Sequence, residues 1–328
     1  MNQHDSMHVL VAGGAGYVGS VACDTLLRAG HRVRVLDSLE HGGKPLLGLF
    51  RPEFSFIRGD VRDAAVVEQA LGGIDAIVHL AAIVGDPACA RQPELAREIN
   101  YGAAIQMFRL ARKKGVKRMI FASTCSNYGR MADPHSLVDE NSVLAPVSLY
   151  AETKVAVEKE LLSSPSDQDP AITVLRFATV FGLSPRMRFD LTVNEFTMEL
   201  MIRKSLVVYG DQFWRPYVHV RDAGRAIALV LDSTKEKVAG KVFNVGNTSQ
   251  NYQKKGIIEL IRSKLSHDCE IQSVQKQEDP RDYRVSFERI QQTLGYKITS
   301  TVEDGIDEIV AAISQGVFSN FEEPGYRN

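Results

Sequence analysis

The sequence predicts an α/β fold, a Rossmann-type doubly wound parallel sheet with a smaller C-terminal lobe that binds a second ligand. In the first half of the chain, short apolar strands alternate with segments of helical period. A glycine-rich turn joins the first strand to the first helix, and the alternation breaks down after Gly182. Strands that alternate with helices form a parallel sheet with helices on both faces.

The elements follow from apolar periodicity and from the breaks between apolar runs. The expected strands are His8–Ala12, Arg32–Asp37, Phe54–Arg58, Ala76–Leu80, Arg118–Ala122 and Thr173–Phe177. The expected helices are Tyr17–Arg28, Ala64–Leu71, Pro93–Lys114, Tyr150–Leu162, Leu191–Arg203, Arg221–Leu231, Tyr252–Leu265 and Val302–Ser314. We expect residues 1–182 to form the core and residues 183–328 mainly the second lobe, with about 210–250 returning to the core.

Composition argues against several classes of protein. The 39 basic and 40 acidic residues of the 328 nearly cancel, whereas nucleic-acid binding normally shows a clustered basic excess. No apolar run approaches the roughly 20 residues of a membrane helix, and the polar first seven residues lack a signal-peptide core. The four cysteines show no metal-ligand spacing. We therefore expect a cytoplasmic protein that binds no metal, membrane or nucleic acid.

The run GGAGYVG at Gly13–Gly19 has the features of a phosphate-binding turn. Gly13, Gly16 and Gly19 permit a tight turn, close approach of a phosphate and close helix–strand packing. Tyr17 and Val18 open the helix, where free N–H groups attract phosphate. A plain structural turn would give the same letters, but here the motif lies between a strand and a helix.

Acidic and small residues follow the next strands. Asp37 ends the second strand about 20 residues on, where a ribose-binding acid belongs. No arginine directly follows it, which favours NAD over NADP because a carboxylate repels a 2′-phosphate. Further cofactor contacts are expected at Asp60, Val61, Leu80, Ala81 and Ala82. The alternative is that these residues are ordinary strand ends.

Tyr150 and Lys154 are spaced four residues apart and so share one helix face. An ammonium beside a phenol lowers the phenol pKa from about 10 and makes it a usable base. Such a base takes a hydroxyl proton while NAD takes the hydride. On their own, the two residues could be a surface pair. Thr124 lies just after the expected fifth strand, where side chains reach the ligand crevice, and is a candidate to orient the same hydroxyl.

Together these motifs resemble the extended short-chain dehydrogenase/reductase family, the NAD-dependent nucleotide-sugar epimerases and dehydratases. The resemblance covers nearly the whole chain and rests on GGAGYVG, STCSNYG at Ser123–Gly129, YAETK at Tyr150–Lys154 and RPYVHVRD at Arg215–Asp222. It implies that Thr124, Tyr150 and Lys154 are catalytic, with Lys154 also touching the nicotinamide ribose. The implied substrate is a UDP-, GDP- or dTDP-linked sugar.

The resemblance implies further contacts and an assembly. Asn194 and Arg215 match residues that meet the nucleotide diphosphate, and Arg281 is either a second clamp or a surface charge. Asn100 matches a position that supports the active site and is grouped with the cofactor residues. The helices Pro93–Lys114 and Tyr150–Leu162 resemble those that pair in family homodimers. The alternative is that their apolar side chains, among them Ile105, Phe108, Val155, Val157 and Leu161, all belong to the core.

Departures from the family pattern bear on the reaction. In its 4,6-dehydratases an Asp-Glu pair follows the threonine, whereas here Cys125 and Ser126 follow it. Cys125 is either a thiolate base or a small buried residue. The runs Ala82–Pro87 and Arg176–Arg188 resemble a branch that includes GDP-heptose 4-dehydrogenases and 4-epimerases. The substrate contacts expected in this reading are Val84, Gly85, Ser126, Thr179, Arg186 and Arg188.

The predicted function is therefore NAD-dependent oxidation at C4 of a nucleotide-diphosphate sugar, by a 4-epimerase or a 4-dehydrogenase. A dehydratase that uses Cys125 and a non-catalytic NAD-binding module are the alternatives.

Overall fold

Strands and helices alternate through the first half of the chain, as the sequence predicts. The computed structural model describes all residues except 1–5, 132–135, 164–165, 167–168 and 275–280. The strands of the described residues are β1 His8–Ala12, β2 Arg32–Asp37, β3 Phe54–Arg58, β4 Ala76–His79, β5 Arg118–Thr124, β6 Ala171–Phe177, β7 Thr179–Phe181, β8 Ser205–Tyr209, β9 Trp214–His219, β10 Lys241–Val245, β11 Asn251–Gln253 and β12 Glu270–Val274. The α-helices are α1 Tyr17–Arg28, α2 Ala64–Ala70, α3 Asp86–Arg91, α4 Pro93–Arg97, α5 Ala104–Lys113, α6 Leu149–Leu162, α7 Thr192–Met198, α8 Val220–Asp232, α9 Lys235–Val238, α10 Lys254–Lys264, α11 Glu288–Leu294 and α12 Val302–Ser314.

Seven parallel strands form the main sheet, in the order β10-β6-β5-β4-β1-β2-β3. Chain progression reverses direction between β1 and β4, and ligands bind at such a reversal, beyond the carboxyl ends of the strands. The predicted Rossmann-type fold class is confirmed.

The main sheet is covered on both faces. Every residue of β1 is buried, as expected of a continuous apolar run in a central parallel strand. One core cluster joins the sheet to α1 and α8, and a second joins its other face to α2, α5 and α6. This packing holds the strand ends rigidly at one edge.

After β6 the chain builds the smaller lobe. β7, β9 and β11 form one small sheet, and β8 pairs with β12 in another. Phe181, Tyr217, Ile257 and Ile306 lie in a separate core cluster under α7, α10 and α12. β10 returns to the main sheet beside β6.

Several elements differ from their expected bounds. β5 runs two residues beyond the expected end, because Ser123 and Thr124 pair in register with β6. The helix expected over Pro93–Lys114 contains a π-helical segment, Glu98–Ala103, between α4 and α5. A second π-helical segment, Glu199–Arg203, follows α7. π-Helical turns often occur at functional sites.

Most of the apolar side chains considered for a dimer interface lie inside a single chain. Four of the five are at most 5% exposed and are not available to a partner: Ile105, Val155, Val157 and Leu161. Phe108 is half-buried, and on the outer side of these helices the Tyr101 hydroxyl donates to Glu160 at 2.7 Å. Those four residues are thus core residues, and the homodimer stays a prediction. Within the described residues, no helix combines the length and hydropathy needed to span a bilayer.

Candidate active site

The glycine turn is packed between the end of β4 and the start of α1. Gly13 has a φ of +85°, and a Cβ there would lie 2.7 Å from the backbone nitrogen of Ala81. A Cβ on Gly19 would collide with the Gly13 carbonyl oxygen. A Cβ on Gly14 would lie 2.5 Å from the Val35 side chain, and the sequence analysis assigned no role to Gly14. The turn therefore has no room for a side chain at Gly13, Gly14 or Gly19.

The first turn of α1 presents its N–H groups without a protein cap. Gly16 is the N-cap residue, and no side chain accepts a hydrogen bond there. A Cβ on Gly16 would meet only the Gly13 carbonyl oxygen within 4 Å, at 3.2 Å. Gly13, Gly16 and Val18 are half-buried. Free N–H groups beside a glycine surface suit the pyrophosphate of a dinucleotide.

Asp37 stabilises this turn from the end of β2. Its carboxylate accepts hydrogen bonds from the backbone nitrogens of Ala15 at 2.9 Å and Leu39 at 2.8 Å. It remains half-buried, and a carboxylate accepts more than two hydrogen bonds. The position suits a ribose hydroxyl and disfavours a 2′-phosphate.

The other expected cofactor contacts differ in their surroundings. Arg62 pairs with Asp60 at 2.7 Å and holds the pKa of that carboxyl below its usual range. Val61 is 7% exposed and belongs to the core. Leu80–Ala82 are half-buried beside the glycine turn. Of these residues, Leu80–Ala82 lie best placed to border the cofactor.

Asn100 acts on the site indirectly. It is 1% exposed and lies in the π-helical segment. Its side-chain oxygen accepts from the Ile83 nitrogen at 2.8 Å, and its amide donates to the Ile83 carbonyl at 3.0 Å. Because both amide ends are engaged, Asn100 fixes the loop after β4. Its expected grouping with the cofactor-contacting residues is corrected accordingly.

The catalytic candidates meet where α6 crosses the end of β5. Ser148 caps α6, and Tyr150 lies in the first turn. The Lys154 ammonium is buried, donates to the Ala122 carbonyl at 2.8 Å, and lies 5.9 Å from the centre of the Tyr150 ring. Thr124 ends β5, where its hydroxyl accepts from the Ser126 nitrogen at 3.1 Å. These contacts fix the phenol-bearing face of α6 beside the carboxyl end of β5.

Burial sets the protonation of the pair. It lowers the pKa of Lys154 to about 8 and raises the pKa of Tyr150 above its usual range. Arg188 opposes the rise at Tyr150, but Lys154 is not among the main influences. The expected lowering of the phenol pKa by Lys154 is therefore not seen in the chain alone. The Lys154 ammonium already donates to Ala122, and desolvation dominates.

A buried ion pair behind these residues was missed by the sequence reading. Glu158 follows Lys154 by one helical turn and pairs with Arg176 of β6 at 2.6 Å. The Ser123 hydroxyl also donates to Glu158, and Asn127 donates to it at 2.8 Å. The signal was present, because Glu158 lies four residues after Lys154 on the same helix face.

Aromatic and basic side chains line the substrate side. The Arg215 guanidinium lies 5.4 Å from the centre of the Tyr283 ring and is 7% exposed. The Tyr283 hydroxyl lies 3.3 Å from that of Ser126. Thr179 is half-buried and pairs with Tyr217 across β7 and β9. Tyr283 therefore connects the turn after Thr124 to Arg215.

Arg281 joins the smaller lobe to the loop after β4. It pairs with Asp86 at 2.8 Å, and Asp86 opens α3 directly after Gly85. Gly85 has a φ of +96°, and Val84 before it is half-buried. The ion pair places Arg281 beside the expected substrate segment.

The Asn194 side chain is engaged by other parts of the protein. It is fully buried, and its oxygen accepts from the Gly182 nitrogen at 2.9 Å. Its amide donates to the Arg188 carbonyl at 2.8 Å and to the Tyr17 hydroxyl at 3.2 Å. These bonds fix the loop after β7 against α1, and the contact of Asn194 with the nucleotide diphosphate stays a prediction.

Cys125 does not have the surroundings of a base. It is 1% exposed, and its thiol donates to the Arg176 carbonyl at 3.3 Å. Burial raises the pKa of the thiol well above its usual value. Activated thiolates need an electropositive, partly exposed setting, so the thiolate interpretation is corrected to that of a packed core residue.

A substitution at Gly16 tests the phosphate turn. We expect Gly16→Val to weaken NAD binding roughly tenfold to a hundredfold, because a forced close contact costs about 1–3 kcal/mol. The fold should survive, since the added Cβ meets little protein. Gly19→Ala should instead lower the thermal unfolding midpoint, because its Cβ collides with Gly13. Calorimetric titration with NAD and thermal unfolding measure both. Wild-type affinity in Gly16→Val would contradict the assignment.

The sequence and the fold are similar to those of known proteins. The sequence model of the NAD-dependent epimerase/dehydratase family matches residues 9–246. A UDP-glucose 4-epimerase of Corynebacterium glutamicum is 30% identical, over 88% of this chain and 90% of that protein. The structure of UDP-glucose 4-epimerase with UDP-glucose from Thermotoga maritima superposes with a TM-score of 0.84 at 25% identity, over 95% of this chain and 100% of that one.

A dehydratase is equally similar in structure. The dTDP-glucose 4,6-dehydratase DesIV of Streptomyces venezuelae, with NAD and TYD bound, superposes with a TM-score of 0.84 at 27% identity. The match covers 94% of this chain and 98% of that one. Overall similarity therefore does not distinguish the epimerase from the dehydratase.

Proposed function

Because the chain belongs to the NAD-dependent epimerase/dehydratase family, we propose that it is a 4-epimerase of a nucleoside-diphosphate sugar. Family membership confirms the predicted enzyme class and the NAD cofactor. The specific reaction rests on the residues at the end of β5. Tyr150, Lys154 and Thr124 supply a proton acceptor, its buried cation and a hydroxyl that orients the substrate.

The observation that carries this choice is the environment of Cys125 and Ser126. A 4,6-dehydratase needs acid/base groups for C5 and C6, and in this family an Asp-Glu pair follows the threonine. Here the buried thiol has a raised pKa, and the Ser126 hydroxyl lies beside Tyr283. Neither supplies a carboxylate. The residues after Thr124 therefore favour oxidation at C4 without loss of water.

The proposed first step uses a small set of groups. When bound, NAD supplies the hydride acceptor and a positive charge beside the phenol. Tyr150 accepts the proton of the C4 hydroxyl, and Thr124 holds that hydroxyl in position. Lys154 stabilises the resulting phenolate from the same helix face. In an epimerase the 4-keto sugar would then turn over in the site, the hydride would return to the other face of C4, and Tyr150 would give its proton back to the C4 oxygen.

Arg215 and Arg281 are proposed to hold the nucleotide diphosphate. Arg215 is nearly buried on Tyr283, and a guanidinium in that setting suits two phosphate oxygens. Arg281 adds a positive charge at the loop after β4. Among UDP-, GDP- and dTDP-linked sugars, the relatives with UDP-glucose epimerase activity favour a UDP-linked hexose as the first compound to test.

Isotope labelling separates the possible outcomes. The protein is incubated with UDP-, GDP- and dTDP-hexoses carrying deuterium at C4, and products are followed by NMR and mass spectrometry. We expect inversion at C4 with the deuterium retained and no net NADH. Stoichiometric NADH with a released ketone would show a 4-dehydrogenase instead, and loss of one water a dehydratase. No reaction with any sugar would overturn the proposal.

A further inference from the structure

Arg186 is a buried cation that has no anionic partner among the described residues. It is 4% exposed, and no described residue accepts a hydrogen bond from its Nε atom. Its Nη2 atom donates to the Arg327 carbonyl at 3.1 Å and to the Asn328 side-chain oxygen at 2.7 Å, both neutral acceptors. In the described part of the chain, no carboxylate forms an ion pair with it. A buried charge of this kind is costly unless an anion binds there.

The neighbouring charges do not compensate it. Arg188 disfavours the charge of Arg186, whereas Asp190 favours it but forms its ion pair with Arg188, at 2.7 Å. Glu40 favours the charged form of Arg186 without pairing with it. Burial and Arg188 together lower the pKa of Arg186 to about 10. The guanidinium thus stays charged at neutral pH, and no residue that the structure describes forms an ion pair with it.

Hydrogen bonds place the backbone of Arg186 beside α1. Its nitrogen donates to the Ser184 hydroxyl at 3.3 Å, and that hydroxyl donates to the Tyr17 carbonyl at 2.7 Å. Ser184 also lies 3.2 Å from the Ser20 hydroxyl. The segment therefore lies against the first turn of α1, whose N–H groups have no side-chain cap.

A second neighbour points to the same half of the site. His41 follows β2 shortly after Asp37, and Arg186 contributes to lowering the pKa of His41. The segment after β2 borders the adenosine half of a dinucleotide in a Rossmann fold. The hydrogen bonds through Ser184 therefore place Arg186 beside the first turn of α1, and its charge also acts on the segment after β2.

We propose that Arg186 binds the pyrophosphate of the NAD cofactor, on the smaller lobe's side of the cleft and opposite the glycine turn. This proposal rests on the proposed function, which uses NAD, but it moves Arg186 from the expected substrate contacts, where the sequence analysis placed it, to the cofactor. A guanidinium offers charge-assisted hydrogen bonds to two phosphate oxygens. Together with the uncapped N–H groups of α1, it would enclose the pyrophosphate from two sides.

The test compares Arg186→Met with Arg91→Met. Arg91 is exposed and also donates to residue 328, through the Asn328 carbonyl at 3.0 Å, so its loss controls for weakened contacts of the C-terminal residues. NAD, ADP-ribose and UDP are titrated by calorimetry, and NAD retained through purification is quantified. In Arg186→Met we expect NAD and ADP-ribose to bind about tenfold or more weakly and UDP to bind unchanged. Arg91→Met should match wild type.

The stability of the cofactor-free variant gives an independent readout. Because Arg186 is uncompensated, Arg186→Met should unfold at the same temperature as wild type or higher. Unchanged NAD affinity, or a loss confined to UDP, would overturn the proposal. Active sugar epimerisation with unchanged NAD affinity in Arg186→Met would overturn it while the proposed function stands. If Arg186→Met weakens NAD binding but the wild-type protein converts no sugar, the assignment of Arg186 stands and the proposed function is overturned.

Discussion

Replacing Tyr150 with phenylalanine is expected to slow hydride transfer from C4 by about 10²–10⁴-fold, the usual contribution of a positioned general base. The change removes one oxygen and leaves the ring beside Lys154. NAD affinity should stay within a few-fold of wild type, because the phosphate turn and Asp37 are untouched. Single-turnover reduction of NAD with a nucleotide sugar measures the chemical step, and calorimetry measures binding.

Lys154→Met and Cys125→Ser complete this test. Lys154 acts through the same phenol, so the double variant with Tyr150→Phe should lose much less than the product of the two single losses. Cys125→Ser keeps the size nearly constant and should change the rate little, because the thiol is buried against Arg176. Full reduction of NAD by Tyr150→Phe, with none by Cys125→Ser, would replace the phenol mechanism by one at a thiolate.

The sequence predicts the main sheet well because its signals are local. The apolar runs of β1, β2 and β3 end at glycine, aspartate or arginine, and their bounds match the expected ones. The expected end of β5 was wrong by two residues, since Ser123 and Thr124 are strand residues only through pairing with β6. That pairing joins segments far apart in sequence and leaves no local trace.

The same difference between local and long-range signals decides which parts of the candidate site the sequence predicts. The glycine turn, Asp37 and the Tyr150–Lys154 pair have fixed spacings, so sequence alone indicates them. Whether Asn194 reaches a ligand depends on Gly182 and Tyr17, which fold against it from distant segments. The direction of the phenol pKa was wrong for the same reason, because desolvation depends on the packing of the whole site.

The buried Glu158–Arg176 pair should be the most sensitive structural element near the site. Both side chains are at most 5% exposed, and Arg176 also donates to the Tyr128 hydroxyl at 3.0 Å. The pair connects α6, which carries Tyr150 and Lys154, to β6. Removing one partner leaves a buried charge unpaired, which costs about 3–5 kcal/mol of unfolding free energy.

We therefore expect Glu158→Met and Arg176→Met each to lower the unfolding free energy by about that amount in urea titrations. The double variant should lose clearly less than the sum, because neither charge is then left alone. Arg28→Met is the matched control, since Arg28 pairs with Asp24 at the surface and its loss should change stability little. Additive single losses, or losses as small as the control's, would show that the pair does not hold α6 against β6. The catalytic helix would then be positioned by the contact between Lys154 and Ala122 and by apolar packing alone.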